Sequence, residues 1–283
     1  MRLEYVDLYE YFGVAAPEGG KGKLTAYIQD TPEQLRPRLR PAVLILPGGG
    51  YHHVSQREAE PVALRFLARG YQVFCLEYSV APVVFPAQLR EAAMAMAYIR
   101  KHAAALDVNP GQVAAVGFSA GGHLCGMLGM LFDSEEVAAF GQPALLRPDA
   151  LGLCYPVAVS WGKTNEGTFE NLCGGDAALR QRLSLERLVR PDMPPAYLWH
   201  TCQDASVPCR NSLILAQAIQ EMDVAVAMRL HLQGEHGLST ADAQSYRVDA
   251  LPEVSPDVGN WPEEMMDFFR QVGFGICDVE VRK

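Results

Sequence analysis

Short apolar runs and amphipathic segments alternate along the chain. Most of the runs are continuously apolar rather than alternating, which is typical of strands buried on both faces of a parallel sheet. No internal repeat or low-complexity segment interrupts this pattern. The predicted strands are residues 24–29, 42–47, 72–78, 113–118, 151–159, 196–202 and 226–232.

The segments between these runs predict helices. Gly70 follows one of them as a natural C-cap, and Pro86 and Pro262 stand near the start of two others. Alternating strands and helices predict a single α/β domain over residues 1–283, a three-layer fold with a mostly parallel sheet flanked by helices. Its ligand site is expected at the carboxyl ends of the strands. The predicted helices are residues 58–68, 86–102, 208–222 and 261–271.

One serine stands where a predicted strand meets a helix-compatible run. Ser119 lies in the stretch GFSAGG, with Gly117 and Gly121 two positions to either side. In this strand–turn–helix context, G-x-S-x-G predicts a nucleophile elbow, a strained turn that only small neighbours permit. The elbow would aim the backbone N–H of Ala120 at the same point as the serine oxygen. The alternative is that Ser119 only caps the helix.

A glycine loop follows the predicted strand at 42–47. Gly48, Gly49 and Gly50 stand at its carboxyl end, where the backbone can approach a ligand closely. Backbone N–H groups in such a loop can stabilise an oxyanion, and one donor is worth roughly 3–4 kcal/mol in the transition state. A phosphate-binding loop would need Lys followed by Ser or Thr, whereas a Tyr-His-His run follows here. A flexible turn is the remaining alternative.

An activated serine requires a histidine base and a carboxylate that orients the histidine. In this fold the expected chain order is serine, carboxylate, histidine. Asp204 directly follows the strand at 196–202, and His236 follows the strand at 226–232. Both stand at strand carboxyl ends, as Ser119 does. We therefore predict Ser119, Asp204 and His236 as the catalytic residues.

Other histidines and carboxylates fit this chemistry less well. His200 and His231 fall within predicted strands, where packed or edge side chains are expected. His123 lies one helical turn after the serine and is expected to face the wrong way for a base. Asp192 precedes its strand, which places it at the wrong end of the sheet. Glu235 is expected to be a surface group.

Charge and cysteine content narrow the class of protein. The formal net charge is −9 with no cluster of Lys and Arg, which argues against a nucleic-acid partner. Seven cysteines without a C-x-x-C pair lack the spacing of a zinc site and predict buried free thiols. The N-terminus has no signal-peptide pattern, and no apolar run is long enough to cross a bilayer. We expect a cytoplasmic protein without a membrane partner; homo-oligomer formation is left open.

With these motifs in place, the chain resembles the α/β-hydrolase superfamily over nearly its whole length, from PGGGY through GFSAGGHL to the last helix. Runs such as YPVAVSW and GTFENLCGG resemble the small bacterial acetyl-xylan-esterase-like and feruloyl-esterase-like carboxylesterases. The resemblance implies the same three catalytic residues and an oxyanion hole of Gly49, Gly50 and Ala120. Many relatives have a histidine before the glycines where this chain has Pro47, which leaves the choice among the glycines open.

The resemblance implies a serine esterase for short acyl groups, often acetyl groups on sugars, with an acyl-enzyme and no cofactor or metal. The expected partner is a small-molecule ester, such as an acetylated xylo-oligosaccharide. An amidase or peptidase, or a formamide, lactone or thioester hydrolase, would use the same three residues. A non-enzymatic binding protein on this fold would not need them.

Residues 160–192 lack a clean strand pattern and are interpreted as a small cap insertion over the site. Trp161 and Phe169 in this segment are predicted to bind substrate, together with Tyr51 and His52 after the glycines. Further candidates for substrate contact are His53, Asn165 and Asn171.

Overall fold

The computed structural model describes residues 1–35, 38–246 and 257–278. The strands are β1 Arg2–Asp7, β2 Lys23–Ile28, β3 Arg38–Leu46, β4 Gln72–Glu77, β5 Val108–Phe118, β6 Ala150–Cys154, β7 Ala196–Thr201, β8 Val226–His231 and β9 Cys277–Asp278. The first eight form one sheet in the order β1-β2-β4-β3-β5-β6-β7-β8, and β9 pairs with the start of β3. Every neighbouring pair from β4 to β8 is parallel, whereas β1 and β2 are antiparallel to their neighbours.

Helices cover both faces of this sheet. They are α1 Leu8–Phe12, α2 Glu60–Leu67, α3 Ala87–Lys101, α4 Ala120–Met130, α5 Pro143–Leu146, α6 Glu166–Cys173, α7 Ala177–Arg182, α8 Leu185–Leu188, α9 Arg210–Glu221 and α10 Trp261–Gln271. Helices α2 and α10 bury Phe66 and Trp261 in one apolar layer, where Trp261 stacks on Trp199 of β7. Helices α3, α4 and α9 contribute to the layer on the other face. The predicted three-layer fold with a mostly parallel sheet is confirmed.

The structure differs from the predicted elements at their ends, at the sheet edges and in the short helices α1 and α5 to α8, which were not predicted. The strand predicted at 151–159 ends at Cys154, because Tyr155 takes a φ of 37° and Pro156 has no N–H to donate. β1 was not predicted, since it is a short charged edge strand with little burial. β8 is also an edge strand and is only partly buried.

The parallel register brings the functional loops to one edge of the sheet. Leu46 of β3 pairs with Gly117 of β5, and Thr201 of β7 pairs with His231 of β8. The chain leaves each of these strands at the same edge, where the glycine loop and the segments after β5, β7 and β8 meet. This placement follows the expectation for ligand sites of parallel sheets.

The segment 160–192 lies beside the glycine loop. Asn165 caps α6 by accepting a hydrogen bond from the N–H of Thr168 at 3.1 Å. Asn171 on the same helix donates to the carbonyl oxygen of Gly50 at 2.9 Å. The segment, in which no strand was predicted, forms the three short helices α6, α7 and α8. The interpretation of this segment as a cap insertion remains a prediction.

The thiols divide into buried and exposed groups. The prediction of buried thiols holds for Cys75, Cys125, Cys154 and Cys173, whereas Cys202 and Cys277 are exposed and Cys209 is partly exposed; all seven are unpaired. Cys202 directly follows the last residue of β7, and its N–H donates to the carbonyl oxygen of His231 at the end of β8 at 2.8 Å. Across residues 1–35, 38–246 and 257–278, no helix combines the length and the apolar character needed to cross a membrane.

Candidate active site

The turn between β5 and α4 holds Ser119 in a strained conformation. Its φ is 52° and its ψ is −117°, a region that residues with a Cβ rarely adopt. The turn is clamped on both sides: the Ser119 N–H donates to Cys154 at 3.0 Å, and the Ser119 carbonyl accepts from His123 and Val157. The serine side chain makes no capping bond to α4, so the helix-cap alternative is not what the structure shows.

Close backbone contacts explain the small neighbours of Ser119. A Cβ on Gly117 would lie 2.1 Å from the carbonyl oxygen of Gly121, and a Cβ on Gly121 would lie 2.0 Å from that of Leu46. Both contacts are with backbone, which cannot move aside as a flexible side chain can. Glycine at both positions therefore lets β5, α4 and the glycine loop meet at the serine.

The structure brings the three predicted catalytic side chains into one hydrogen-bonded chain. His236 Nε2 lies 2.8 Å from Ser119 Oγ, and His236 Nδ1 lies 2.5 Å from Asp204 Oδ2. The carboxylate can only accept, so Nδ1 carries the proton and Nε2 is free to accept from the serine hydroxyl. This is the tautomer in which an imidazole can take a proton from a serine.

Asp204 is held by more partners than the sequence indicated. Its Oδ1 accepts from the N–H groups of Ser206 and Val207 at 3.0 and 2.8 Å, and its Oδ2 also lies 3.2 Å from His200 Nε2. Burial alone would raise the pKa of Asp204, but the hydrogen bonds from His200, His236 and Val207 outweigh it and hold the pKa well below its usual range. The carboxylate is therefore ionised at neutral pH.

His200 was expected to be a packed strand residue, and it is fully buried. Its Nδ1 lies 2.8 Å from Ser212 Oγ, and its Nε2 contacts both Asp204 and the carbonyl oxygen of Val207. It braces the loop that carries the carboxylate. No sequence signal pointed to this contact, because it joins a strand residue to a loop beyond the strand.

The three glycines of the loop differ in whether their backbone N–H groups already have an acceptor. The N–H of Gly48 donates to Glu58 Oε2 at 2.7 Å and is therefore occupied. Gly49 and Gly50 have φ values of 124° and 63°. In the described part of the chain, no acceptor is hydrogen-bonded to the N–H of Gly49, Gly50 or Ala120. These three amides, which the sequence predicted as the oxyanion hole, are the ones left to meet an anion.

A cavity of about 610 Å³ opens above Ser119 and His236. Its volume falls within the range of clefts that hold small ligands. Apart from three glycines, every described residue of its walls carries a polar side chain. These wall residues are Gly49, Gly50, His53, Ser55, Arg57, Glu58, Asn165, Thr168, Ser206, Gly237 and Tyr246.

The four residues predicted to bind substrate do not line this cavity. Tyr51 and Phe169 are fully buried instead, because the positive φ at Tyr51 turns the chain inward and Phe169 packs edge-on against His123. Trp161 donates to Glu186 at 2.8 Å beside a separate shallow hollow, and His52 is exposed. Of the further candidates, His53 and Asn165 do line the cavity.

His123 serves the core rather than the reaction. It is fully buried, its Nε2 lies 2.8 Å from the carbonyl oxygen of Leu183, and its Nδ1 lies 3.0 Å from Tyr51 Oη. The carbonyl requires a proton on Nε2, so the tyrosine hydroxyl donates to Nδ1. Burial lowers the pKa of His123 from 6.5 to about 4, although the bond to Leu183 opposes this shift.

This neutral histidine predicts an acid-sensitive component of stability. Between pH 6.5 and about 4 the unfolded chain binds a proton at His123 that the native chain does not, so stability falls as the pH falls through this window. We expect the free energy of unfolding to drop by about 2 kcal/mol more between pH 7 and 4.5 in the wild type than in His123→Gln. Denaturant titrations of both proteins at each pH measure this difference. Equal drops would contradict a neutral His123.

Comparisons with known proteins agree with this architecture. Residues 30–144 match the family described as BD-FAE. The crystal structure of an acetyl ester-xyloside bifunctional hydrolase from Caldicellulosiruptor lactoaceticus is similar at 34% identity, with a TM-score of 0.77 over 89% of this chain and 88% of that chain. A carboxylesterase from Lactobacillus plantarum WCFS1 is similar at 27% identity, with a TM-score of 0.78 over 89% of this chain and 93% of that chain.

A curated relative matches only over part of its length. Endo-1,4-beta-xylanase B of Butyrivibrio fibrisolvens is 31% identical over 218 residues, which are 73% of this chain and 34% of that protein. The chain thus spans about a third of the length of this relative.

The sheet order, the strained serine turn and the strand-end loops define the α/β-hydrolase class of proteins. The chain belongs to the α/β-hydrolase superfamily, within its group of acetylxylan-esterase-like carboxylesterases.

Proposed function

We propose that this protein hydrolyses short acyl esters, above all acetyl esters of sugars or xylo-oligosaccharides, with Ser119 as nucleophile. The observation that carries the proposal is the hydrogen-bonded chain from Ser119 through His236 to Asp204 at the floor of a cavity whose described residues mostly carry polar side chains. The acetyl ester in the name of the Caldicellulosiruptor relative supports the same chemistry.

The proposed reaction has two halves. His236 Nε2 takes the proton of the Ser119 hydroxyl as the serine oxygen attacks the ester carbonyl carbon, and Asp204 stabilises the imidazolium that forms. The N–H groups of Ala120 and the glycine loop stabilise the tetrahedral oxyanion. The intermediate collapses to an acyl-serine as His236 protonates the departing alcohol. Water, activated by His236, then releases the acid and restores the serine.

The cavity walls support a hydrophilic alcohol and a short acyl group. His53, Arg57, Asn165 and Tyr246 place hydrogen-bonding groups around the space beside the nucleophile. A long acyl chain would need apolar walls. Among the described residues that line this cavity there is no Leu, Ile, Val, Met or Phe. A polyhydroxylated leaving group fits this lining better than a lipid.

The proposal includes a reducing, cytoplasmic setting. Cys202 and Cys277 are exposed free thiols, which persist most readily where disulfides do not form. In that setting the enzyme would meet small imported esters rather than intact polymers.

Acyl-chain length is the first test of this function. With p-nitrophenyl esters from acetate to decanoate, we expect kcat/KM to be highest for acetate and to fall steeply with chain length. The described residues that line the cavity include no Leu, Ile, Val, Met or Phe against which a long chain could pack. Release of acetate from acetylated xylo-oligosaccharides is expected as well. A preference for decanoate would contradict the short-acyl proposal. Cleavage of anilides or formamides with no ester cleavage would favour the amidase or formamidase alternatives.

A further inference from the structure

A second buried carboxylate lies at the active-site cavity and is not part of the chain from Ser119 to Asp204. Glu58 ends the short 3₁₀ turn Gln56–Glu58, is only 3% exposed and lines the same cavity. Burying a carboxylate is costly unless its oxygens accept hydrogen bonds. Both oxygens of Glu58 do accept one, and the two donors lie on different parts of the site.

One oxygen of Glu58 holds the start of the glycine loop. Oε2 accepts the N–H of Gly48 at 2.7 Å. Gly48 also packs closely against the elbow, since a Cβ there would lie 2.9 Å from the carbonyl oxygen of Phe118 and 3.1 Å from Ser119 Cβ. Fixing this peptide sets the direction in which the next two amides, those of Gly49 and Gly50, point.

The other oxygen of Glu58 reaches the segment that carries the base. Oε1 accepts the hydroxyl of Tyr155 at 2.6 Å, and this hydroxyl in turn accepts the N–H of Ser239 at 3.0 Å. The ring of Tyr155 also meets the ring of His236 edge-on, with 5.1 Å between centroids. Burial, with the neighbouring charge of Glu58, holds the pKa of Tyr155 well above its usual range, so the hydroxyl remains a donor.

We propose that Glu58 is a positioning residue that holds the oxyanion-binding amides and the histidine base in register with each other. It acts through Gly48 on one side and Tyr155 on the other, without touching the reacting atoms. The inference rests on the proposed ester hydrolysis. Since bonds to the oxyanion form only in the transition state, their misplacement lowers kcat more than it raises KM.

The chain contains a matched control for this carboxylate. Glu91 is also buried, and it accepts one backbone N–H, that of Ser79, and one tyrosine hydroxyl, that of Tyr9, each at 2.6 Å. It differs from Glu58 in that it also accepts the hydroxyl of Ser79. Glu91 is not among the residues that line the cavity over Ser119. Substitution of Glu91 therefore measures how much stability is lost when a buried, hydrogen-bonded carboxylate is removed. It is not expected to lower kcat, because among the described residues no hydrogen bond joins Glu91 to the glycine loop or to the segment that carries His236.

The experiment compares Glu58→Gln and Glu58→Ala with Glu91→Gln and Glu91→Ala in thermal unfolding and in p-nitrophenyl acetate kinetics. All four variants are expected to have a lower Tm. Only the Glu58 variants are expected to lose kcat at equal folded fraction, about 10-fold for Gln, which keeps one acceptor, and about 10²-fold for Ala. KM should stay within about 3-fold of wild type.

Tyr155→Phe is the variant to use if Glu58→Ala does not fold. It leaves the bond between Glu58 and Gly48 intact and removes the hydroxyl that joins Glu58 to Ser239, so the bonds to both of these residues are lost. A loss of about 10-fold in kcat is expected. Glu58 variants that keep wild-type kcat and lose only Tm, as the Glu91 variants do, would overturn the inference. A wild-type protein that cleaves no ester would instead overturn the proposed function, and the inference with it.

Discussion

Ser119→Ala is expected to lower kcat/KM for p-nitrophenyl acetate by about 10⁴-fold or more. The variant removes the proposed nucleophile, the Ser119 Oγ that lies 2.8 Å from His236 Nε2, so no acyl-enzyme can form. The fold should tolerate the change, because alanine adds no atoms to the turn and the Ser119 backbone bonds remain. Initial rates and the burst of p-nitrophenol in both proteins provide the measurement.

A second serine supplies the control for this substitution. Ser134 lies beyond the carboxyl end of α4, whereas Ser119 lies at its amino end. Ser134→Ala is expected to keep kcat/KM within about twofold of wild type, since Ser134 is not among the residues that line the cavity over Ser119. Equal activity of wild type and Ser119→Ala would show that the elbow does not supply the nucleophile.

Asp204→Asn is expected to lower kcat by about 10⁴-fold while leaving KM nearly unchanged. The amide oxygen can still accept from Ser206 and Val207, which leaves the amide nitrogen facing His236 and His200. A donor in that place favours the tautomer of His236 that carries its proton on Nε2. That tautomer cannot accept the proton of the serine. Steady-state kinetics at saturating ester test this expectation.

Asp192 provides the matched control for the carboxylate. It precedes β7, whereas Asp204 follows that strand, so the two lie at opposite ends of the same element. Asp192 is exposed and pairs with Arg190 on the surface. Asp192→Asn is expected to leave kcat within about twofold of wild type. A large loss of kcat in Asp192→Asn, together with an active Asp204→Asn, would contradict the choice of Asp204 as the carboxylate that orients the histidine.

The predictable part of this protein rests on features that are local in sequence. The elbow could be found because a buried strand, a serine between two glycines and a helix-compatible run are consecutive. Asp204 and His236 could be chosen over the other carboxylates and histidines because the carboxyl ends of parallel strands lie at one edge of the sheet. A residue that directly follows such a strand is therefore expected near the site even when no distance is known. In the structure the side chain of His236 lies within hydrogen-bonding distance of both Asp204 and Ser119, and the catalytic roles of these residues stay a proposal.

The walls of the cavity could not be read in the same way. A prediction that a residue near the site faces the substrate depends on which way its side chain turns, and that is set by packing. Tyr51 follows the glycines directly and yet is directed into the core, where it meets His123. Arg57 and Tyr246 line the cavity but stand in stretches with no motif.

The sequence by itself therefore determined three things: the alternation of strands and helices, the turn at the serine, and the order of serine, carboxylate and histidine along the chain. Each depends on neighbouring residues and on the general rules of parallel sheets. Only the tertiary structure decided which glycine amides remain free and what braces the acid and the base. The bond between Tyr155 and Glu58 joins residues 97 positions apart, and no local pattern encodes a contact at that separation. Such contacts form only when the packed layers bring distant loops to the same edge of the sheet.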